Sequence, residues 1–282
     1  MNKYEIIKKI ENFAPVETAE TWDCVGFAVE TKRVDISKIM LCLTVTDDII
    51  KQAQDQKCDM IISHHPLFEI KTPLAFASCR QNFCHSELTR KFVEFTKLNF
   101  LFLLGDSESS KILTDTRCCA VSATFSPLID IYSAHTNLDK ANNGTTDTII
   151  TTLDLDKFKI NIEHEFLRMI DFGEKIELST LKEKLKTISP NLRYVNNKNV
   201  SRLQKIAFCA GSGSEFINEA KELGADCLVT GDLKFHTALD SEIVVFDIGH
   251  FESEILILPI LKEIIGKGVE IIFAQEKSPF QI

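Results

Sequence analysis

The sequence predicts an α/β protein built as two α/β halves around a less regular middle. Three observations carry that reading. In the first 65 residues, short apolar runs flank a helix-patterned stretch in the order strand, helix, strand, which favours a parallel sheet. Between 206 and 274 the same alternation returns. The 282 residues are 44% hydrophobic and 26% charged, the balance of a globular chain long enough for one large or two modest domains.

Taken in order, Ile6, Ile7, Ile10 and Phe13 recur at helical spacing over 3–13, and Pro15 ends that helix. Trp22-Asp23-Cys24-Val25-Gly26-Phe27 is a loop entering a strand, with Gly26 as its tight point. Residues 36–45 read as a strand. Thr46 caps a helix to about Gln56, with Asp47 and Asp48 favourable in its first turn. Residues 58–63 are the next strand, and Pro66 stops it near His64 and His65. The stretch 71–127 is less regular, with a helix over 86–97, a strand over 99–104 and a polar loop over 105–116. It reads as an insertion at a sheet edge.

A strand over 129–134 follows, then an Asn142-Asn143-Gly144 turn and a helix over 147–153. The middle holds a strand near 165–170, a helix over 178–188, an extended piece at 192–195 and a polar linker over 196–201. The last third alternates strands at 206–209, 227–229, 243–247 and 269–274 with helices at 215–223, 234–240 and 252–265. The division is therefore 1–141 for an N-terminal segment with its insertion within about 71–127, 142–200 for the middle, and 201–282 for the C-terminal segment.

A net charge of −9 makes nucleic acid or an anionic membrane a poor default partner. No apolar run is long enough to span a bilayer, and the N-terminus lacks a signal-peptide core, which suits a cytoplasmic protein. The nine cysteines form no C-x-x-C pair and several lie in apolar strands. They read as reduced, buried small hydrophobes rather than a disulfide framework or a zinc ribbon.

Three strand ends carry the chemistry. They are Ser63-His64-His65-Pro66, then His135-Thr136-Asn137-Leu138-Asp139, then Gly249-His250-Phe251-Glu252-Ser253-Glu254. In a parallel sheet such ends share one rim, where sites form. Together they offer His64, His65, His135, Asp139, His250 and Glu254. Imidazole and carboxylate without thiolate suit zinc, manganese, iron or nickel, and five or more ligands favour two ions over one. Each element has a bland reading alone. The histidine pair would be surface residues, Asp139 a turn residue, and Glu254 a solvated carboxylate in a first helical turn. His236, after Thr230-Gly231-Asp232-Leu233-Lys234-Phe235, lines the pocket without binding metal in this reading, while His85 and His164 are surface residues. The glycine-rich turn Gly211-Ser212-Gly213-Ser214 suits an anion or simply a tight connection.

With these motifs in view, the chain resembles the GTP cyclohydrolase 1 type 2 homologues, also called NIF-three-like proteins. The likeness spans nearly the whole chain, from Trp22-Asp23 through Ser63-His64-His65-Pro66-Leu67-Phe68 to Gly249-His250-Phe251-Glu252-Ser253-Glu254. The resemblance implies two interlinked α/β domains with mixed, largely parallel sheets, a homohexamer, and a dinuclear metal centre at the strand ends. His64, His65, Asp139, His250 and Glu254 would be the ligands and Glu254 the bridge, with His135 and Asp23 in the pocket. Two positions depart from the family pattern. Cys24 replaces an asparagine and Thr44 replaces an aspartate that could position a water or a substrate.

Two functions follow. One is a metal-dependent hydrolase of a nucleotide or phosphate-bearing small molecule, one ion activating water and the other polarising the electrophile. The alternative is a non-catalytic metal-handling or protein-interaction role, as a regulatory adaptor with protein partners. Whether Cys24 and Thr44 face the pocket separates the two.

Overall fold

A computed structural model describes residues 1–67, 129–161 and 164–280. His85, the elements expected within 86–116 and the insertion itself fall outside the described residues.

Helix α1 (Lys3–Phe13) is capped by the Asn2 side chain, which accepts the Tyr4 N–H. Strands β1 (Gly26–Val29) and β2 (Lys38–Cys42) follow, then α2 (Asp47–Asp55), whose Thr46 cap accepts from Ile49 N–H as the sequence suggests. After β3 (Met60–Ser63) and β4 (Asp130–Ser133) the chain makes two short helices, α3 (Thr136–Lys140) and α4 (Thr145–Thr152). Then come β5 (Lys159–Asn161), β6 (Arg168–Glu177), α5 (Leu178–Leu185), β7 (Arg193–Val195), β8 (Arg202–Phe208) and α6 (Ile217–Glu222). The chain ends with β9 (Cys227–Thr230), α7 (Phe235–Asp240), β10 (Val244–Asp247), α8 (His250–Glu254), α9 (Ile257–Ile265) and β11 (Glu270–Phe273).

Two mixed sheets result, β1-β4-β3-β2-β11 and β5-β6-β8-β9-β10-β7. In the first, β4, β3, β2 and β11 run parallel and β1 is antiparallel. The last strand thus closes an edge of the sheet that the first residues begin. In the second, β8, β9 and β10 are parallel, while β5, β6 and β7 add antiparallel pairings. A largely parallel arrangement therefore describes the first sheet better than the second. The reason is local: β5 returns into β6 through a short connection, which only antiparallel neighbours allow.

Both faces of each sheet are covered, which explains the unbroken apolar runs. Along β2 and β3, Ile39, Leu41, Met60 and Ile62 pack with Ile6, Ile10, Leu261 and Ile265 of α1 and α9. The intervening Met40, Cys42 and Ile61 face Ile49 and Ala53 of α2. In the second sheet Ile206, Phe208, Val229 and Phe246 meet α4 and α5, while Ala207, Leu228 and Val245 meet α6. Each of the Val, Leu, Ile, Phe and Met side chains among these contributes about 1.5–3 kcal/mol on burial.

The single helix expected over 252–265 is two helices, α8 and α9. Pro259 has no N–H for the Ile255 carbonyl, so the ladder breaks just before it. The strand expected at 165–170 begins at Arg168 and continues through a charged stretch to Glu177, beyond the apolar run that signalled it. His164 is half-buried rather than on the surface. Its ring lies 4.9 Å from that of Phe216, and Nδ1 accepts the Phe166 and Leu167 N–H groups. Arg168 is fully buried against Asp147 and the carbonyls of Lys140, Ala141, Glu165 and Leu167.

Candidate metal centre

The carboxyl ends of the parallel strands bring the chemistry together. His64 and His65 extend the ladder beyond β3, their N–H groups donating to the Cys42 and Leu43 carbonyls. The turn after β4 delivers His135 and, one helical turn on, Asp139. From the other sheet, β10 ends at Asp247 and turns through Gly249, at φ +85°, into His250 and Glu254 of α8. At that φ, glycine is at ease where an L side chain is strained.

Three overlapping groups form: His65, His250 and Glu254; His64, Asp139 and Glu254; and His64, His65 and His135. Within each, ligand-type atoms lie within 4.8 Å of one another. Glu254 is nearly inaccessible and splits its two oxygens between the first two groups. Oε2 is 2.8 Å from His65 Nε2 and 3.0 Å from His250 Nε2. Oε1 is 3.7 Å from His64 Nε2, which is itself 3.5 Å from Asp139 Oδ1.

These residues fit a cation. His64 Nδ1 lies 2.9 Å from the Ala134 carbonyl, which can only accept, so Nδ1 carries a proton and Nε2 is the nitrogen that would offer a lone pair to a metal once its own proton leaves. That Nε2 and Asp139 Oδ1 are buried with no hydrogen-bond partner. Buried polar atoms left unpaired are costly, and a shared cation would satisfy both.

Each ring has an outer partner. His65 Nδ1 meets Thr44 Oγ1 at 2.6 Å, His250 Nδ1 meets Asp232 Oδ2 at 2.7 Å, and His135 Nδ1 meets Asp23 at 3.0 and 3.1 Å. Asp232 adopts φ +53°, a left-handed conformation that Asp tolerates better than most residues. The four imidazoles and two carboxylates of the strand-end motifs lie together here, while Thr44 and Asp232 were not among the residues the sequence pointed to as ring partners. For Asp232 a signal existed, an acid at the carboxyl end of β9.

Electrostatics without metal follow from burial and crowding. Burial pulls His64 down, yet Asp139 and Glu254 outweigh it and raise it to about 9. His250 likewise rises to about 9, because Glu254 and Asp232 overcome burial. His65 is lowered, chiefly by burial. Burial opposes ionisation of Glu254, but the imidazoles of His64, His250 and His65 hold its carboxyl well below the usual range. Burial, with Glu254 beside it, pushes Asp139 up despite His64 and His135.

The cluster opens on a cavity of about 830 Å³, a size suited to a small molecule. Asp23, His65, His135, Asp139 and His250 line it, and so do Cys24, Thr44, Trp22, Phe166, Cys209 and Phe216. The two positions that depart from the expected family pattern therefore both face the pocket. His236 does not line it. Helix α7 carries that ring exposed, edge-on to Phe235 at 5.4 Å. Gly211, of the glycine-rich turn, instead packs against the cluster: a Cβ there would fall on Glu254 Oε1.

Fold and site together define a two-sheet α/β protein with a histidine–carboxylate cluster of metal-ligating composition where strand ends of both sheets meet. The Duf34/NIF3 (NGG1p interacting factor 3) family model matches residues 1–79 and 118–279, and the chain belongs to that family. It is 32% identical to a GTP cyclohydrolase 1 type 2 homolog of Clostridium perfringens, over 100% of this chain and 99% of the relative. A protein of that description from Clostridium acetobutylicum is 30% identical over 87% of this chain and 82% of its own. Among solved structures, reduced HcgD from Methanocaldococcus jannaschii is similar, with a TM-score of 0.72 and 26% identity over 98% of each chain.

Proposed function

We propose that the chain binds two divalent cations with Glu254 as the shared ligand and acts as a metal-dependent hydrolase on a small molecule held in the adjoining cavity. The observation that carries this is the division of the Glu254 oxygens, one facing His65 and His250 and the other facing His64 and Asp139. The nitrogen and oxygen donors suit zinc, iron, manganese or nickel. Cations so held supply Lewis acidity and make a water nucleophilic near neutral pH. The chain's own part is to fix the ligand atoms, to hold Asp139 and Glu254 away from bulk water, and to present His135 at the cavity wall. Asp23 fixes the His135 ring by its Nδ1 edge.

Nucleotides and phosphoesters are the first substrates to test. Among the described residues lining the cavity there is no lysine or arginine, so within that set a phosphate would find cationic partners only in the ions and protonated histidines. Neutral esters and amides belong in the same panel. A hexameric assembly is also proposed, on the family resemblance.

A second reading, metal handling or protein interaction without turnover, draws support from Cys24 and Thr44 lining the cavity where a catalytic amide and carboxylate are expected. Elemental analysis of purified protein with its mass in solution is the first experiment, and two transition-metal ions per chain is the expected result. Hydrolysis of any panel member that disappears in His65→Ala supports the enzyme. Two ions and no turnover across the panel favours handling, while a chain that neither contains nor acquires metal ends both metal readings.

A further inference from the structure

We infer that Thr44 and Glu276 form a positioning chain that sets the tautomer and orientation of His65 from outside the cluster. The inference rests on the metal-binding reading above. His65 Nε2 points at Glu254, 2.8 Å away, while Nδ1 lies 2.6 Å from Thr44 Oγ1. An imidazole that ligates through Nε2 gives up the proton there and carries it on Nδ1, so the threonine hydroxyl oxygen is the acceptor that stabilises the ligating tautomer.

Thr44 lies just beyond β2, where the ladder gives out. What fixes it comes from the far end of the chain. Glu276 accepts the Leu43 N–H at 2.6 Å on one oxygen and the Thr44 N–H at 3.4 Å on the other. The Leu43 carbonyl in turn accepts the His65 N–H at 2.8 Å, so one dipeptide grips His65 by backbone and by ring. A neighbouring clasp keeps the tail in register: Gln275 N–H donates to Gln52 Oε1 at 2.8 Å, and Gln52 Nε2 donates to the Gln275 carbonyl at 3.1 Å. Hydrogen bonds to an ionised carboxylate are roughly twice as strong as neutral ones, which suits Glu276 to fix the Leu43 and Thr44 amides. Glu276 does not line the cavity, and its influence passes through two amides and a hydroxyl. It is a positioning residue.

The test titrates Zn²⁺ into the full chain after chelator treatment and records the visible spectrum of the Co²⁺-loaded protein. Wild type is expected to take two ions. Thr44→Val should weaken the ion held by His65 about 10- to 100-fold, the usual effect of losing an outer-shell partner, and shift the Co²⁺ bands. Thr44→Ser, which keeps the oxygen, should restore both. Glu276→Ala should move the same ion in the same direction, and Glu276→Gln, which keeps one acceptor, should move it less and serves if the alanine variant does not fold. Wild-type affinity and spectrum in both Thr44→Val and the Glu276 variants would overturn the inference and leave the metal reading intact. So would a Glu276 variant that lowers Tm alone, since that marks a purely structural tie. If wild type takes up no metal, the underlying reading fails and this one with it.

Discussion

Asp23 shows how much one carboxylate does at this site. It accepts from the Thr136 N–H and hydroxyl and from the His135 ring, and its side chain is inaccessible. Burial alone would raise its pKa, but the bonds and charge of His135, helped by Thr136, lower it from 3.8 to about 2. A carboxylate lowered on folding adds stability that is complete above its unfolded value, near 3.8, and is lost as pH falls through the folded value. Chemical denaturation between pH 5 and pH 2 should therefore lose on the order of 1–2 kcal/mol through this group, and Asp23→Asn should remove that part of the slope. At Glu254 a milder change suffices. Glu254→Gln keeps the shape of the side chain but loses the charge that both imidazole groups face, so metal content by elemental analysis should fall below that of wild type, with the circular dichroism spectrum unchanged.

At the scale of elements, the strand-to-helix turns decide whether the ligands meet. Gly211 has φ +63°, its N–H donates to Ser253 Oγ at 2.9 Å, and Ser253 Oγ donates to the His250 carbonyl at 2.7 Å, tying the turn after β8 to α8. Gly211→Ala places a methyl group on Glu254 Oε1. It should lower zinc affinity by at least about tenfold, roughly 1.4 kcal/mol, in a calorimetric titration. Elements of this kind were legible in the sequence where the signal is local. Thr46 and the acids after it mark α2, and the apolar runs of β2, β3, β9 and β10 announce strands buried on both faces. His64-His65 and His250 with Glu254 could be placed at strand ends for the same reason. The rest depends on partners distant in sequence. Nothing near Glu276 signals the Leu43 and Thr44 amides, and His236 sits in a motif that looks pocket-bound yet lies on a helix turned outward. Nor do the short polar strands β5 and β7 or the charged end of β6 say which neighbours they pair with or in which direction.

Across the whole molecule, Arg168 joins parts that the sheets alone do not. Its guanidinium reaches the Lys140 and Ala141 carbonyls, one and two residues past Asp139, while its Nε donates to Asp147 at 3.1 Å. It thereby fastens the start of β6 to the end of α3, the helix that carries Asp139, a candidate ligand. Arg168→Leu leaves Asp147 buried without its cation and should cost about 3–5 kcal/mol in urea denaturation, as unpairing a buried charge usually does. Zinc affinity should fall as well, since Asp139 loses its anchor.

The parallel pairing of β11 with β2 bears on how the molecule comes into being. A ribosome delivers β2, β3 and the two adjacent histidines some two hundred residues before the strand that borders β2 and the glutamate that follows it. Until β11 is made, the nascent chain exposes a bare, apolar sheet margin at β2, the kind of edge that invites wrong pairing. The histidine–carboxylate cluster is completed only when His250 and Glu254 of α8 follow His135 and Asp139, shortly before β11 is made. Both the covering of that margin and the completion of the cluster therefore wait on the segment from α8 to β11.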